Sequence, residues 1–366
     1  MNTTRDLLAI LIVFLLLPGM VLAQNAAMEE IGSRAAKAAM DLLHFKSGDK
    51  NILALTDAGH VDLGGNTTES CVKGITNISG CNTGDGNLYQ ILRPHWKPLW
   101  FFFYNKDSGE SVYLQVDGKI SIKSLSDIRA LKNDEIFSKI SKANVKISYM
   151  LNNSAEANNT FNNKSFNGNE FSLIGIANIW AEPGASEEFL QAAAFHDHLC
   201  PGVTSGYMII NYVESKLPIT DVNAQSYKVI AIPPWCKDDA IQILWDATVG
   251  KASMYSMALN DMEKSALSSK YKTDIAGIYV RWNDTSKKGD GLVLGFNWTK
   301  MYELTGTDNW KGPAWAPKLV MDMEMMKYWN QPEVAVSTIK EFPVDQDKLS
   351  QLQNAGMHPL KVAGVM

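Results

Sequence analysis

The chain is 366 residues long, 46% hydrophobic and 20% charged, an ordinary globular composition that excludes disordered, collagen-like and low-complexity architectures. Lys and Arg number 34 against 39 Asp and Glu, so the net charge is −5 and no basic block is present, which makes a nucleic-acid partner a poor fit. The four cysteines are too few to staple a chain of this size, and the length suggests about two domains of ~150 residues.

The N-terminus reads as a secretion signal. Arg5 is followed by the apolar run Leu7 to Leu17, and Val21-Leu22-Ala23 places small residues at a cleavage site. The expectation is a signal peptide at 1–23, cleaved after Ala23, and an extracytoplasmic, secreted mature protein. The competing reading is a retained membrane anchor, because Leu7 to Ala23 is nearly long enough to span a bilayer. No second apolar stretch has that length. Asn-x-Ser/Thr triplets begin at Asn66, Asn77, Asn152, Asn158, Asn163, Asn283 and Asn297, as expected of an exported glycoprotein.

The segment Leu151 to Phe171 holds eight Asn and little apolar content, and reads as a solvated linker or long loop. The parts on either side look like diverged copies. Gly32 to Leu43 and Gly206 to Leu217 are helix-like, and short β-type runs follow at Asn51 to Leu55 and Tyr227 to Ile232. A cysteine comes next, Cys71 or Cys236, then a second helix-like stretch and a glycine turn, Thr83-Gly84-Asp85-Gly86 or Thr248-Val249-Gly250-Lys251. Apolar strands close each unit: Leu99 to Asn105 with Ser111 to Val116, and Ile275 to Asn283 with Gly291 to Phe296. This order predicts an α+β fold built as a tandem duplication of a helix-strand-helix-β-hairpin domain, with the two domains paired within one chain.

The chemistry is concentrated in FHDHLCPGVTSG, Phe195 to Gly206, which puts two of the six histidines and one of the four cysteines within five residues. Ser186 to Phe195 is helix-like before it, and Pro201 is suited to the first turn of a following helix. His196, His198 and Cys200 are therefore expected at a corner between two helices. Imidazole and thiolate are the usual ligands of zinc and iron, and a helix N-terminus favours the thiolate form of Cys200. Cys236, in Pro233-Pro234-Trp235-Cys236, is expected at another helix start and completes a His₂Cys₂ metal set from a distance. Two other readings stay open at this level: a Cys200–Cys236 disulfide, natural in an exported chain, and histidines that only pack the corner. A Cys-Pro dipeptide is also an axial haem ligand in some proteins.

His196-x-His198-x-Cys200-Pro201-Gly202 with Gly206-Tyr207 resembles the signature of the FmdE family, named for formylmethanofuran dehydrogenase. So does Cys236 followed by Asp239-Ala240-Ile241-Gln242, and in the first part Gly80-Cys81-Asn82-Thr83-Gly84-Asp85-Gly86-Asn87-Leu88 with Phe102-Phe103-Tyr104-Asn105. The resemblance implies an α+β fold, paired domains and a metal site, zinc foremost, near the histidines. It also implies an archaeal, methanogenic source and so an address in the archaeal cell envelope. The first copy lacks the HxHxCPG stretch, whose equivalent falls in the signal peptide, so that copy is expected to be degenerate. The expected layout is a signal peptide at 1–23, a degenerate FmdE-like domain at 24–150, the Asn-rich linker at 151–171, an FmdE-like domain with the site at 172–330 and a C-terminal extension at 331–366.

The leading expectation is a metal-binding envelope protein acting in metal sensing, delivery or redox poise. The alternatives are a zinc enzyme with an open coordination position, using Asp197, Asp238 or Asp239 as general base, and an interaction module with a Cys200–Cys236 disulfide. Cys71 and Cys81 either pair or stay as small buried residues. His60, His95 and His358 stand alone, and Met321 and Met325 form an i, i+4 core stripe. Trp298, Trp310, Trp315 and Trp329 are expected to pack. The glycine turn at Gly84 lacks P-loop spacing, and no Gly-x-Ser-x-Gly motif occurs.

Overall fold

A computed structural model describes residues 24–120, 122 and 124–366. The expected signal peptide, residues 1–23, lies outside the described residues. The chain divides into two compact units, the first ending at Ala181 and the second running from Glu182 to Met366.

The first unit opens with a helix over residues 24–43. Its small apolar residues Ala27, Met28, Ile31, Ala35, Ala39 and Leu43 recur at helical spacing and are buried. Besides a two-stranded hairpin at Asp62–Leu63 and Asn66–Thr67, five strands follow: β1 (Ile52–Thr56), β2 (Leu88–Gln90), β3 (Trp100–Asn105), β4 (Glu110–Val116) and β5 (Phe137–Asn144). These five form one sheet in the order β2-β1-β3-β4-β5, with β1 and β2 parallel and the other pairs antiparallel. Strand β3 reads WFFFYN without alternation because both faces of the sheet are covered. Phe101 and Phe103 join the core shared with the first helix and the Glu69–Ser79 helix. On the opposite face Phe166 packs 5.4 Å from Phe102 and 5.8 Å from Tyr113, ring centre to ring centre.

The second unit begins with helices Glu187–Phe195 and Pro201–Lys216. Its strands are β6 (Gln225–Ala231), β7 (Met254–Ser256), β8 (Asp274–Asn283), β9 (Lys288–Phe296) and β10 (Val336–Asp345), in the order β7-β6-β8-β9-β10. Strands β6 and β7 are parallel and the remaining pairs antiparallel. Strand order and the sense of each pairing are thus the same in the two sheets. Both units also seat a helix before the sheet against the helix after its first strand, at glycine. A Cβ built on Gly32 falls 2.0 Å from the Cys71 carbonyl oxygen, and one built on Gly206 falls 2.5 Å from that of Lys237. Only a residue without Cβ permits backbones this close.

Two segments differ from the sequence expectation. Leu151 to Phe171 is not an extended loop: helices Ile147–Asn152, Ser154–Asn162 and Glu170–Ala181 take up most of it, and it belongs to the first unit. Asn favours turns in isolation, but Ala157, Thr160 and Phe166 are buried here, and tertiary packing overrides a weak propensity. Residues 331–366 are not an appendage. Strand β10 pairs with β9 along its length, and Leu349, Leu352, Leu360 and Val365 complete the core of the second unit. Its alternation is broken at Ile339-Lys340, where the register shifts, and Pro343 confines it to an edge. Among the described residues no helix is long and apolar enough to cross a membrane.

Candidate metal centre

The Glu187–Phe195 helix starts at Ser186, whose side chain accepts the Phe189 N–H, and ends at His196. Asp197 then takes a left-handed φ of 70°, a conformation that Asp tolerates better than most residues. That reversal brings the rings of His196 and His198 to the same side, 4.4 Å apart between centroids. Cys200 is extended, with φ −155° and ψ 160°, and is the N-cap of the helix that Pro201 opens. Cys236 is the N-cap of the Lys237–Trp245 helix. Two helix N-termini therefore converge on one point, each carrying a cysteine.

One donor atom from each of His196, His198, Cys200 and Cys236 lies within 4.8 Å of all the others. A tetrahedral zinc ion holds its ligands at ~2.0–2.3 Å, hence about 3.3–3.8 Å from one another. The set needs to draw in by at most about 1.5 Å to close on a single ion. The space between the sulfurs is kept open by Gly202, where a Cβ would fall 2.8 Å from Cys236 Cβ, 3.2 Å from Cys236 Sγ and 3.4 Å from Cys200 Sγ. The glycine of Cys-Pro-Gly is thus required by the sulfur pair, and Gly206, one turn later, by the helix contact.

His196 Nδ1 lies 2.6 Å from Asp239 Oδ2, while its Nε2 is buried without a hydrogen-bond partner. A carboxylate behind one ring nitrogen and a bare second nitrogen is the arrangement that prepares imidazole for a metal. Asp239 is held in turn by the Gln242 side-chain amide, at 3.1 Å. Burial works against the charged form of His196, but Asp239 and Cys236 push its pKa up to about 9. Burial and the neighbouring His196 push that of His198 down. The two thiols share one proton: Cys200 is pushed up by its bond to Cys236 and by burial, whereas Cys236 is drawn down by Cys200 and then by His196. These shifts favour the charged form of His196 and the thiolate form of Cys236.

The neighbouring carboxylates are engaged. Asp238 accepts the Trp235 backbone N–H at 2.9 Å and pairs at 2.6 Å with Lys237, which is fully buried and 4.1 Å from the Trp235 ring centre. Of the sequence-level candidates for a general base, Asp238 and Asp239 therefore serve the fold of the corner and the orientation of His196. Sequence reasoning raised Asp239 in a different role and missed Lys237, Thr204 and Asp322. Asp322 is buried, accepts a hydrogen bond from Thr204 Oγ1 at 2.8 Å, and its Oδ2 has no partner. It sits in a methionine-rich helix where nothing in the sequence marks it.

All four cysteines are free. In the first unit Cys71 and Cys81 are buried in the core cluster, and burial pushes both thiols up. Among the described residues the site in the second unit is the one group of three or more His, Cys, Asp or Glu side chains placed to share an ion. Aligning the two glycine contacts sets Ala26 opposite Cys200, which leaves the first unit without that ligand. Met321 and Met325 are buried as expected. Trp329 packs 4.5 Å from Phe189 and 5.0 Å from Tyr207.

Residues 195–310 match the family described as FmdE, Molybdenum formylmethanofuran dehydrogenase operon. This stretch is an FmdE domain. The FmdE match begins one residue before His196 and includes Cys236, so all four donors lie within it, whereas Asp322 and strand β10 lie beyond it. No curated protein matches the chain.

The residues fit a metal ion on their own chemistry: two imidazoles, two thiols, a bare buried nitrogen and a glycine cradle between the sulfurs. Bound there, an ion of the zinc type would supply Lewis acidity or a structural clasp between helices. The chain's part is to hold His196 by Asp239 and to bring Cys200 and Cys236 together at two helix starts.

Proposed function

We propose that the FmdE domain binds one zinc ion through His196, His198, Cys200 and Cys236, and that the protein is an exported metal-binding protein of the archaeal cell envelope. In this reading it acts in metal sensing, delivery or redox poise. The observation that carries it is the convergence of four donors within 4.8 Å around the unpartnered Nε2 of His196. Four protein ligands fill a tetrahedral zinc, which favours holding the ion over catalysis at it. Asp238 and Asp239 are already paired, which weakens the enzyme alternative. The shared strand order supports descent of the two units from one duplicated domain, the first having lost its ligands and kept its fold.

Metal analysis of protein purified without chelator and without a metal-affinity tag tests the reading. About one zinc per chain is expected, lost on Cys200→Ser with the first unit still folded by hydrogen exchange. No bound metal, together with Cys200 and Cys236 that resist alkylation until reduced, would instead establish the disulfide alternative. Intact mass of native material tests export: the chain should start at Gln24 and carry excess mass. Asn152 and Asn163, exposed at helix ends, are the favoured attachment points.

A further inference from the structure

We propose that Cys200 and Cys236 are a peroxide-responsive pair, whose oxidation to a disulfide expels the metal ion and makes the site an oxidation-controlled metal store. The inference rests on the metal reading above. Its grounds are geometric. Both sulfurs border one cradle over Gly202, with a Cβ position there 3.2 Å from one and 3.4 Å from the other, and the two Sγ atoms lie within 4.8 Å of each other. A disulfide needs its sulfurs at ~2.05 Å, and each cysteine is a helix N-cap, outside the regular turns of its helix, so closing the pair requires movement at two helix starts and not within either helix. The pair is also unequal in access. Cys200 is 9% exposed, whereas Cys236 is only partly buried, so an oxidant meets Cys236 first. Cys71 and Cys81 are both wholly buried in the other unit and offer no competing target.

The chemistry balances with a hydroperoxide as the two-electron oxidant. The Cys236 thiolate attacks the peroxide, an S–O bond forms as the O–O bond breaks, and hydroxide leaves to be protonated to water. Cys236 is then a sulfenic acid. The Cys200 thiolate attacks that sulfur, an S–S bond forms, the S–O bond breaks, and a second hydroxide leaves as water after taking a proton. Two thiolates, one hydrogen peroxide and two protons give one disulfide and two waters. The ion is left with two imidazoles, too few ligands to hold it.

The test uses the full chain loaded with zinc, freed of excess ion and titrated with hydrogen peroxide beside a chromogenic zinc indicator, with intact mass and peptide mapping after alkylation. About one zinc should be released for each Cys200–Cys236 disulfide formed, with Cys71 and Cys81 still reduced, and dithiothreitol with zinc should restore the starting state. In Cys200→Ser, dimedone should trap a sulfenic acid on Cys236. Zinc that stays bound while Cys236 goes on to the sulfinic acid overturns the proposal. So does a disulfide that forms without loss of zinc. A chain that takes up no zinc before peroxide is added ends the metal reading and the proposal with it, and that result is read before the oxidant enters.

Discussion

His196 and Asp239 meet at 2.6 Å, Nδ1 to Oδ2, across two helices that are 43 residues apart in the chain at this contact. The bond fixes which nitrogen of His196 is turned into the site, and the nitrogen so turned is buried and bare. Asp239→Asn should weaken zinc binding by about 10–100-fold, the usual worth of a carboxylate behind a metal-bound histidine. Competition against a chromophoric chelator measures it. Affinity equal to that of the parent protein would mean that the carboxylate is not orienting a ligand.

Gly202→Ala places a methyl group against both sulfurs and 2.8 Å from Cys236 Cβ. The two helix starts must separate, at a cost of about 1–3 kcal/mol for overpacking. The expected outcome is loss of zinc together with a lower melting temperature, even though alanine is the better helix former. A variant that binds zinc normally would show that the cradle is looser than its geometry.

Zinc uptake should strengthen as pH rises. His196, whose pKa is raised from 6.5 to about 9, and Cys200, pushed up by Cys236 and by burial, both carry protons at neutral pH and must release them to bind an ion. Calorimetry in buffers of different ionisation enthalpy should register about two protons released per ion near pH 7. The stability of the metal-free protein follows two opposed contributions. The raised histidine contributes stability that is complete below 6.5 and is lost as pH rises through about 9, whereas the lowered Cys236 thiol contributes stability that is gained as pH rises from about 4 to 9. The melting temperature should therefore change little between 6.5 and 9 and should fall as pH drops from 6.5 toward 4.

Asp322 is buried with one carboxylate oxygen unpartnered, and burial raises its pKa well above the ordinary value. A carboxyl whose folded pKa is raised favours the folded state when protonated, so its contribution falls as pH rises above 3.8. Asp322→Asn keeps the shape and an acceptor for Thr204 but removes the charge. Its melting temperature should exceed that of the parent at pH 8 and match it near pH 4. A destabilised variant at pH 8 would mean that the charge is needed where it sits.

The local chemistry was legible in the chain because it is local. His196, His198 and Cys200 lie within five residues, Pro201 marks a helix start, and helix geometry limits where such side chains can point. The α+β class and the parallel order of elements in the two units were legible for the same reason, since apolar runs and glycine turns record themselves residue by residue. The placement of Cys236 beside Cys200 was only an expectation, and it took the packing of two helices at Gly202 and Gly206 to bring the sulfurs together. Tertiary structure alone decided the rest. It turned an Asn-rich stretch into helices by burying Ala157 and Phe166, and drew residues 336–345 into the sheet despite Pro343. It set Asp239 behind His196 and hid Asp322 beneath Thr204. Burial and long-range hydrogen bonding depend on partners scores of residues away, and a one-dimensional pattern holds no record of which partner will arrive.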